Sequence, residues 1–205
     1  MVHCRRLSLV VSLAAGIAFA GPPAGGPGGF SRRLWQTQDG LPEETVQAFA
    51  QTPDHYLWIG TSGGLVRFDG DQLVVFDREN TPELHENSVF ALAVGHDGAL
   101  WIGTDGGGVV RYRDRRFRAF SSRDGLGNPF VRSVVEDSRG AVWVGTDDGL
   151  YRIEGERVSR VDGTPRVPAL AVHAVLEDRH GRLWVGGSTL LLVDGAQAYE
   201  YRLPG

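Results

Sequence analysis

Short apolar runs separated by polar turn formers mark most of this chain. Val89 to Val94, Leu100 to Thr104, Val109 to Arg113 and Arg116 to Phe120 form one set, with Gly, Asp and Asn clusters between them. Runs of that length between such clusters predict β-strands. The set recurs. Leu100-Trp101-Ile102-Gly103-Thr104 is echoed by Trp58-Ile59-Gly60-Thr61, Val142-Trp143-Val144-Gly145-Thr146 and Leu183-Trp184-Val185-Gly186-Gly187, which puts the tryptophans 43, 42 and 41 residues apart. A period just above 40 predicts a repeat array. Four strands of about five residues with tight hairpins fill such a period and leave no room for a helix.

Turn chemistry repeats with the strands. Asp97-Gly98, Ser138-Arg139-Gly140 and Arg179-His180-Gly181 occupy the first hairpin, and Ser62-Gly63-Gly64, Asp105 to Gly108 and Asp147-Asp148-Gly149 the second. Asp69-Gly70, Glu154-Gly155 and Asp194-Gly195 occupy the third. Four-stranded meanders of this length stack around an axis as blades of a β-propeller, whereas a parallel β-helix needs much shorter repeats. The expected fold is therefore all-β: a propeller of four blades of four antiparallel strands, about 42 residues each, in an incomplete ring. The blades fall at about 44–77, 87–121, 129–162 and 170–203 within a propeller region of 30–205. Val89 to Val94 lacks polar alternation, as a strand covered on both faces should. Trp58, Trp101, Trp143 and Trp184 repeat with the period, so they read as wedges between blades, each indole N–H finding an acceptor, rather than as ligand-stacking residues.

Composition changes the picture at the N-terminus. Arg5 and Arg6 precede an uncharged stretch from Leu7 to Phe19 that closes on Ala18-Phe19-Ala20, the pattern of a secretory signal over residues 1–20. Its 13 residues are too few for a membrane span, which needs about 20. Residues 21–29 are nearly all Gly, Pro and Ala and read as a tether. The one cysteine, Cys4, precedes the apolar stretch, so no disulfide is expected in the exported chain. Formal net charge is −4, which argues against nucleic acid or anionic lipid as main partner. All 21 basic residues are arginine, so lysine Schiff-base chemistry is excluded.

Leu34 to Leu41 aligns without gaps on Ala119 to Leu126, which predicts a closing outer strand at 30–37. The fourth unit has its own outer strand at Ala198 to Arg202, so the first has no inner three to join. That mismatch leads us to expect an N-terminal part of a longer protein, with an open edge at the fourth blade able to associate.

Asp-Gly-Leu, a polar loop, Val-x-x-Val-x-x-Asp and then Trp-Ile/Val-Gly-Thr-x-x-Gly-Leu-x-Arg-Phe resembles the two-component regulator propeller repeat. It is clearest at Asp124 to Ile153, and at Asp39 to Phe68 with Thr52 and His55 replacing Asp and Gly. The fourth copy departs at Gly186-Gly187-Ser188-Thr189. The resemblance implies a periplasmic, ligand-binding sensor region of a bacterial receptor, with a kinase or diguanylate cyclase output downstream of a membrane span. Oligosaccharides are the ligand class it implies; cofactors are not.

A ligand would meet the face formed by Thr37 to Glu44, Arg78 to Ser88, Ser121 to Pro129 and Asp162 to Ala169, the loops joining each outer strand to the next inner one. Asn87, Arg123, Asp124 and Asn128 offer groups suited to sugar hydroxyls, although turn chemistry alone also accounts for Asp39-Gly40 and Asp124-Gly125. Arg111, Arg113, Arg115, Arg116 and Arg118 read as a solvated outer hairpin that discourages edge pairing. His55, His85, His96, His173 and His180 show no metal-ligand spacing and read as surface or turn residues. Asp137-Ser138-Arg139-Gly140 resembles a sialidase Asp box with one residue too many. Nothing marks a catalytic carboxylate pair or nucleophile motif, so the chain reads as non-catalytic, with a protein-interaction scaffold as the first alternative to a ligand sensor and a glycosidase- or lyase-type propeller enzyme as the less favoured one.

Overall fold

The computed structural model describes residues 33–161, 171–194 and 197–201. The expected signal, the tether and the loop Asp162 to Ala169 lie outside the described residues. Blade 1 comprises β1 (Val46–Gln51), β2 (Leu57–Thr61), β3 (Leu65–Phe68) and β4 (Leu73–Phe76); blade 2 comprises β5 (Val89–Val94), β6 (Leu100–Thr104), β7 (Val109–Arg113) and β8 (Arg116–Phe120). Blade 3 holds β9 (Val131–Glu136), β10 (Val142–Thr146), β11 (Gly149–Glu154) and β12 (Arg157–Arg160), and blade 4 holds β13 (Val172–Glu177), β14 (Leu183–Gly187), β15 (Leu190–Asp194) and β16 (Gln197–Tyr201). Each blade is one antiparallel sheet with its strands in sequence order. The chain is therefore a propeller of four blades.

Successive blades meet through their inner strands β1, β5, β9 and β13, and the Gly of each Trp-Ile/Val-Gly motif explains how. Gly60 and Gly145 sit where an added β-carbon would lie 2.7 Å from Val89 and 2.6 Å from Val172, the first inner residue of the next blade. Val89 and Val131 are 0% exposed and Val172 4%, but Val46, with no blade before it, is 37% exposed. The ring is not closed among the described residues. On the outermost blades Phe49 and Leu176 are each 62% exposed.

A second seam joins hairpins to the next inner strand. Glu136, at the end of β9, accepts hydrogen bonds from His96 N (2.9 Å) in blade 2, and Glu177, at the end of β13, from Ser138 N (2.7 Å) in blade 3. At the first junction both partners change together: Pro53 has no N–H to donate, and Val94 has no acceptor.

Trp58, Trp101 and Trp143 lie in these interfaces, whereas Trp184 packs 5.5 Å from the Tyr201 ring of its own blade. Trp58 is 1% exposed and packs 4.9 Å from the Tyr112 ring of blade 2; Trp101 is 5% exposed; Trp143 and Trp184 are half-buried. Trp58 Nε1 donates to Thr52 Oγ1 (2.9 Å), Trp143 Nε1 to Asp137 Oδ2 (2.8 Å) and Trp184 Nε1 to Asp178 Oδ2 (3.1 Å). Trp101 breaks the pattern expected from sequence, for its indole N–H is buried without a partner. The acceptor position six residues upstream is Gly95, and the Glu136 carboxylate fills the space its side chain would need, 2.1 Å from a β-carbon placed there.

Of the outer strand expected at 30–37, residues 30–32 lie outside the described residues, while residues 33–36 carry no strand and Thr37–Asp39 form a 3-10 turn. Without three inner strands to pair with, the segment has no ladder to join. The alignment behind the expectation nonetheless holds in geometry. Ser122–Asp124 forms the same turn, Asp39 and Asp124 each cap it through a 2.9 Å bond to the N–H of Gln36 or Ser121, and Gly40 and Gly125 close it at φ 104° and 106°.

Candidate functional site

The inner strands contain an irregularity that the repeat makes fourfold. Val46 pairs with Thr61 and Ala48 with Gly60, leaving Gln47 as an extra residue; Phe90, Arg132 and His173 are extra in β5, β9 and β13 in the same way. A bulge of this kind re-aims one side chain while the ladder on either side continues. The residues before and after it repeat: Val, then Ala or Ser. The bulged residue itself is a carboxamide, a phenyl ring, a guanidinium and an imidazole in turn.

Beside each bulge lies the hairpin that follows the Trp-bearing strand. Thr61, Thr104 and Thr146 are 0% exposed, and each hydroxyl donates across its hairpin to the carbonyl of Gly64, Gly108 or Gly149 at 2.8 to 2.9 Å. The connectors are stitched to these hairpins through Asp105 N to Ser88 O (2.9 Å), Gly106 N to Pro129 O (3.2 Å) and Asp147 N to Phe130 O (3.2 Å). The fourth hairpin has Gly187 in place of threonine, so it lacks the hydroxyl bond and keeps the backbone one, Gly187 N to Thr189 O at 3.0 Å, that Thr61 and Thr104 also make.

On this scaffold Gln47 Nε2 donates to Ser62 Oγ (2.9 Å). Arg132 grips Asp147 with two bonds, Nε to Oδ1 (2.7 Å) and Nη2 to Oδ2 (2.8 Å), and reaches Asp105 of the preceding blade with Nη1 (2.9 Å). The same guanidinium lies 5.0 Å from the Phe90 ring. Hydrogen bonds from Arg132 hold the Asp147 carboxyl below the usual carboxylate range against the opposing effect of burial, and the nearby His173 adds to the shift. Phe90, Arg132, Asp147 and His173 thus run across three blades on one face. Their side chains combine donors, acceptors and an aromatic surface, the set that a hydroxyl-rich solute requires.

The residues singled out from sequence lie in the connectors of this face but are engaged differently. Asn87 Oδ1 accepts Arg78 N and Asn128 Oδ1 accepts Phe130 N, both at 2.9 Å, so these carboxamides shape their own loops. Asp124 caps its turn and accepts Arg118 Nη2 at 2.6 Å, which lowers its pKa. Arg123 is exposed. The arginine hairpin is more than a solvated edge: Arg111 Nη2 reaches Glu156 of blade 3 at 2.7 Å, Arg118 Nε lies 3.4 Å from the same carboxylate, and Arg113 pairs with Asp97. His173, read as a surface or turn residue, is exposed and stands at a bulge within a strand. No group of three or more metal-ligating side chains occurs among the described residues. Sequence reading missed Gln47, Phe90, Arg132 and His173. The available signal was that one position varies among otherwise similar copies.

Comparison with known proteins places this geometry. The two component regulator propeller family matches residues 40–63, 83–106, 125–148 and 167–189, one match per blade. Among solved structures the chain is similar to the extracellular domain of a protein described as a hybrid two component system from B. thetaiotaomicron. That likeness has 28% identity and a TM-score of 0.65, over 76% of this chain and 23% of that one. It is also similar to the extracellular domain of a one component system of the same organism, at 20% identity and TM-score 0.68, over 84% of this chain and 26% of that one. Virginiamycin B lyase from Staphylococcus aureus shares the fold at 14% identity and TM-score 0.63, over 81% of this chain and 58% of its own. No curated protein matches the chain. The chain spans about a quarter of the length of the first two relatives. With one copy of the repeat in every blade, the chain belongs to the two-component regulator propeller repeat family.

Proposed function

We propose that this propeller is the extracytoplasmic, periplasmic ligand-sensing part of a bacterial signal-transduction receptor, and that it binds a hydroxyl-rich solute such as an oligosaccharide on the bulge face without transforming it. One observation carries the reading: four copies that agree in scaffold residues place four chemically different side chains at the position that a bulge turns out of the sheet. Repeats that served only to stack would have no reason to place Gln47, Phe90, Arg132 and His173 there. The likeness to an extracellular domain of a two component system and the signal-like N-terminus support the location. A binding role also fits the electrostatics. Glycoside hydrolysis needs one carboxyl able to give up a proton near neutral pH, whereas Asp147 is locked to Arg132 with its pKa lowered.

The test is calorimetric titration of the chain with a panel of neutral oligosaccharides, alongside Arg132→Gln and Phe90→Ala. Binding that weakens about tenfold or more in both variants, the loss expected for a charge-assisted bond or a stacking ring, supports the reading. Affinity unchanged in both variants, or conversion of the ligand, refutes it.

A further inference from the structure

A cavity lies on the opposite face, between the outer halves of blades 1 and 2, with a volume of about 900 Å³. Its walls include the rings of Tyr56, Phe76, Tyr112 and Phe117. Phe76, Tyr112 and Phe117 pack with centroids 4.7 to 6.5 Å apart over the buried Trp58. Arg67 lies 4.5 Å from the Tyr56 ring and 5.8 Å from Phe76.

The neighbouring junction shows what this one lacks. Arg67 is paired across the ladder from Trp58 as Arg111 is from Trp101. Arg111 likewise stacks on rings, 5.7 Å from Trp101 and 5.6 Å from Phe120, but is neutralised by Glu156 at 2.7 Å. Glu156 is the second residue of the two-residue turn between β11 and β12; in the turn between β7 and β8 that place belongs to Arg115. Among the described residues Arg67 has no ion-pair partner, and the rim group that should supply one has the opposite charge. Of the carboxylates around it, Asp97 and Asp114 pair with Arg113, Asp54 accepts the Thr52 hydroxyl at 2.5 Å, and Asp69 acts on Arg67 electrostatically without closing an ion pair.

Backbone conformation points to the same place. Among the described residues, His55, Asp114 and Arg115 are the non-glycine residues with positive φ, at 69°, 50° and 62°. Two of them line the cavity and the third lies between its lining residues Asp54 and Tyr56. A turn with positive φ at both central positions favours glycine at the second. Keeping arginine there sets local preference against side-chain placement, a conflict that clusters at ligand sites.

We infer that this cleft binds a carboxylate carried on a six-membered ring, the carboxylate between Arg67 and Arg115 in the manner of Glu156 on Arg111, and the ring face on the aromatic wall. Such a group occurs in uronic acid sugars and in aromatic acids. The site is distinct from the bulge face and its occupancy does not depend on that reading.

The experiment titrates the chain with digalacturonate and with 4-hydroxybenzoate, each beside its neutral counterpart, galactobiose and 4-hydroxybenzyl alcohol, following Trp58 fluorescence and heat. At least one acid should bind about tenfold or more tightly than its counterpart, the scale of one charge-assisted bond, and which acid does so identifies the source. Affinity should fall with added salt. Arg115→Glu places a carboxylate in the cleft and should abolish binding. Arg115→Gly relaxes the turn, and should weaken binding about tenfold while leaving the melting temperature unchanged or higher. Absence of binding by both acids, equal binding of the neutral compounds, or retained affinity in Arg115→Glu would overturn the inference.

Discussion

Val131 occupies the space that a side chain on Gly103 would need: a β-carbon there would lie 2.6 Å from Val131 Cγ1 and 3.2 Å from Val134 Cγ2. Gly60, Gly103 and Gly145 are thus needed for the approach of the next blade rather than for their own backbone. Gly103→Ala should destabilise the chain by about 1 to 3 kcal/mol, the range for overpacking a filled core. At Gly186 the nearest atom to an added β-carbon is Ala174 Cβ at 3.6 Å, so Gly186→Ala should cost much less. Urea unfolding of the two variants makes the comparison, and equal losses would contradict the blade-to-blade account.

Asp137 anchors a hairpin and an indole together. Its Oδ1 accepts Arg139 N and Ala141 N, both at 2.9 Å, and its Oδ2 accepts Trp143 Nε1 at 2.8 Å. Asp137→Ala strands these donors and should cost about 1 to 3 kcal/mol. Chemical denaturation checks it. Within error of wild type, the hairpin would have to be held by its backbone bonds alone.

Acid should loosen the bulge face. Because the Asp147 carboxyl titrates lower in the folded protein than in the unfolded chain, its ionised form stabilises the fold above the unfolded value of about 3.9. That contribution is lost as pH falls through the lower, folded value. The melting-temperature gap between wild type and Asp147→Asn should therefore hold steady from neutral pH to about 5 and close only as pH falls below the unfolded value of about 3.9. A gap that instead closed between neutral pH and 5 would assign the effect to another group.

Glu136 should matter to blade pairing more than its surface position suggests. It accepts both His96 N and His96 Nδ1, at 2.9 and 2.7 Å, while only 9% of its side chain is exposed. Glu136→Ala should lower stability by about 1 to 2 kcal/mol, read as a shift in the urea midpoint with an unchanged slope.

The fold was legible because the period, the Trp-Ile/Val-Gly-Thr strand and the turn residues repeat together, and each has a local physical reason visible in sequence. The site was not, because a bulge is a register event. Val131-Arg132-Ser133-Val134 reads as an ordinary strand, and only pairing with β10 shows that Arg132 is left over. Asn87 and Asn128 drew attention as polar loop residues, yet short side chains of that kind bond their own backbone readily. The orphan indole of Trp101 was equally hidden: Gly95 looks like a turn residue until the Glu136 carboxylate from the next blade is seen occupying its space.

The paired change at Pro53 and Val94, set against His96 with Glu136 and Ser138 with Glu177, makes the blades ordered parts rather than interchangeable copies. Moving blade 4 to follow blade 1 would face the Glu177 carboxylate with a proline ring that has no proton to give. Moving blade 2 to follow blade 3 would leave Ser138 N–H against the methyl groups of Val94. The first joint is thus set apart from the other two, which share one N–H-to-carboxylate bond, so blade 2 is the module fitted to follow blade 1, and an array that puts a Glu-bearing blade there meets a mismatched pair.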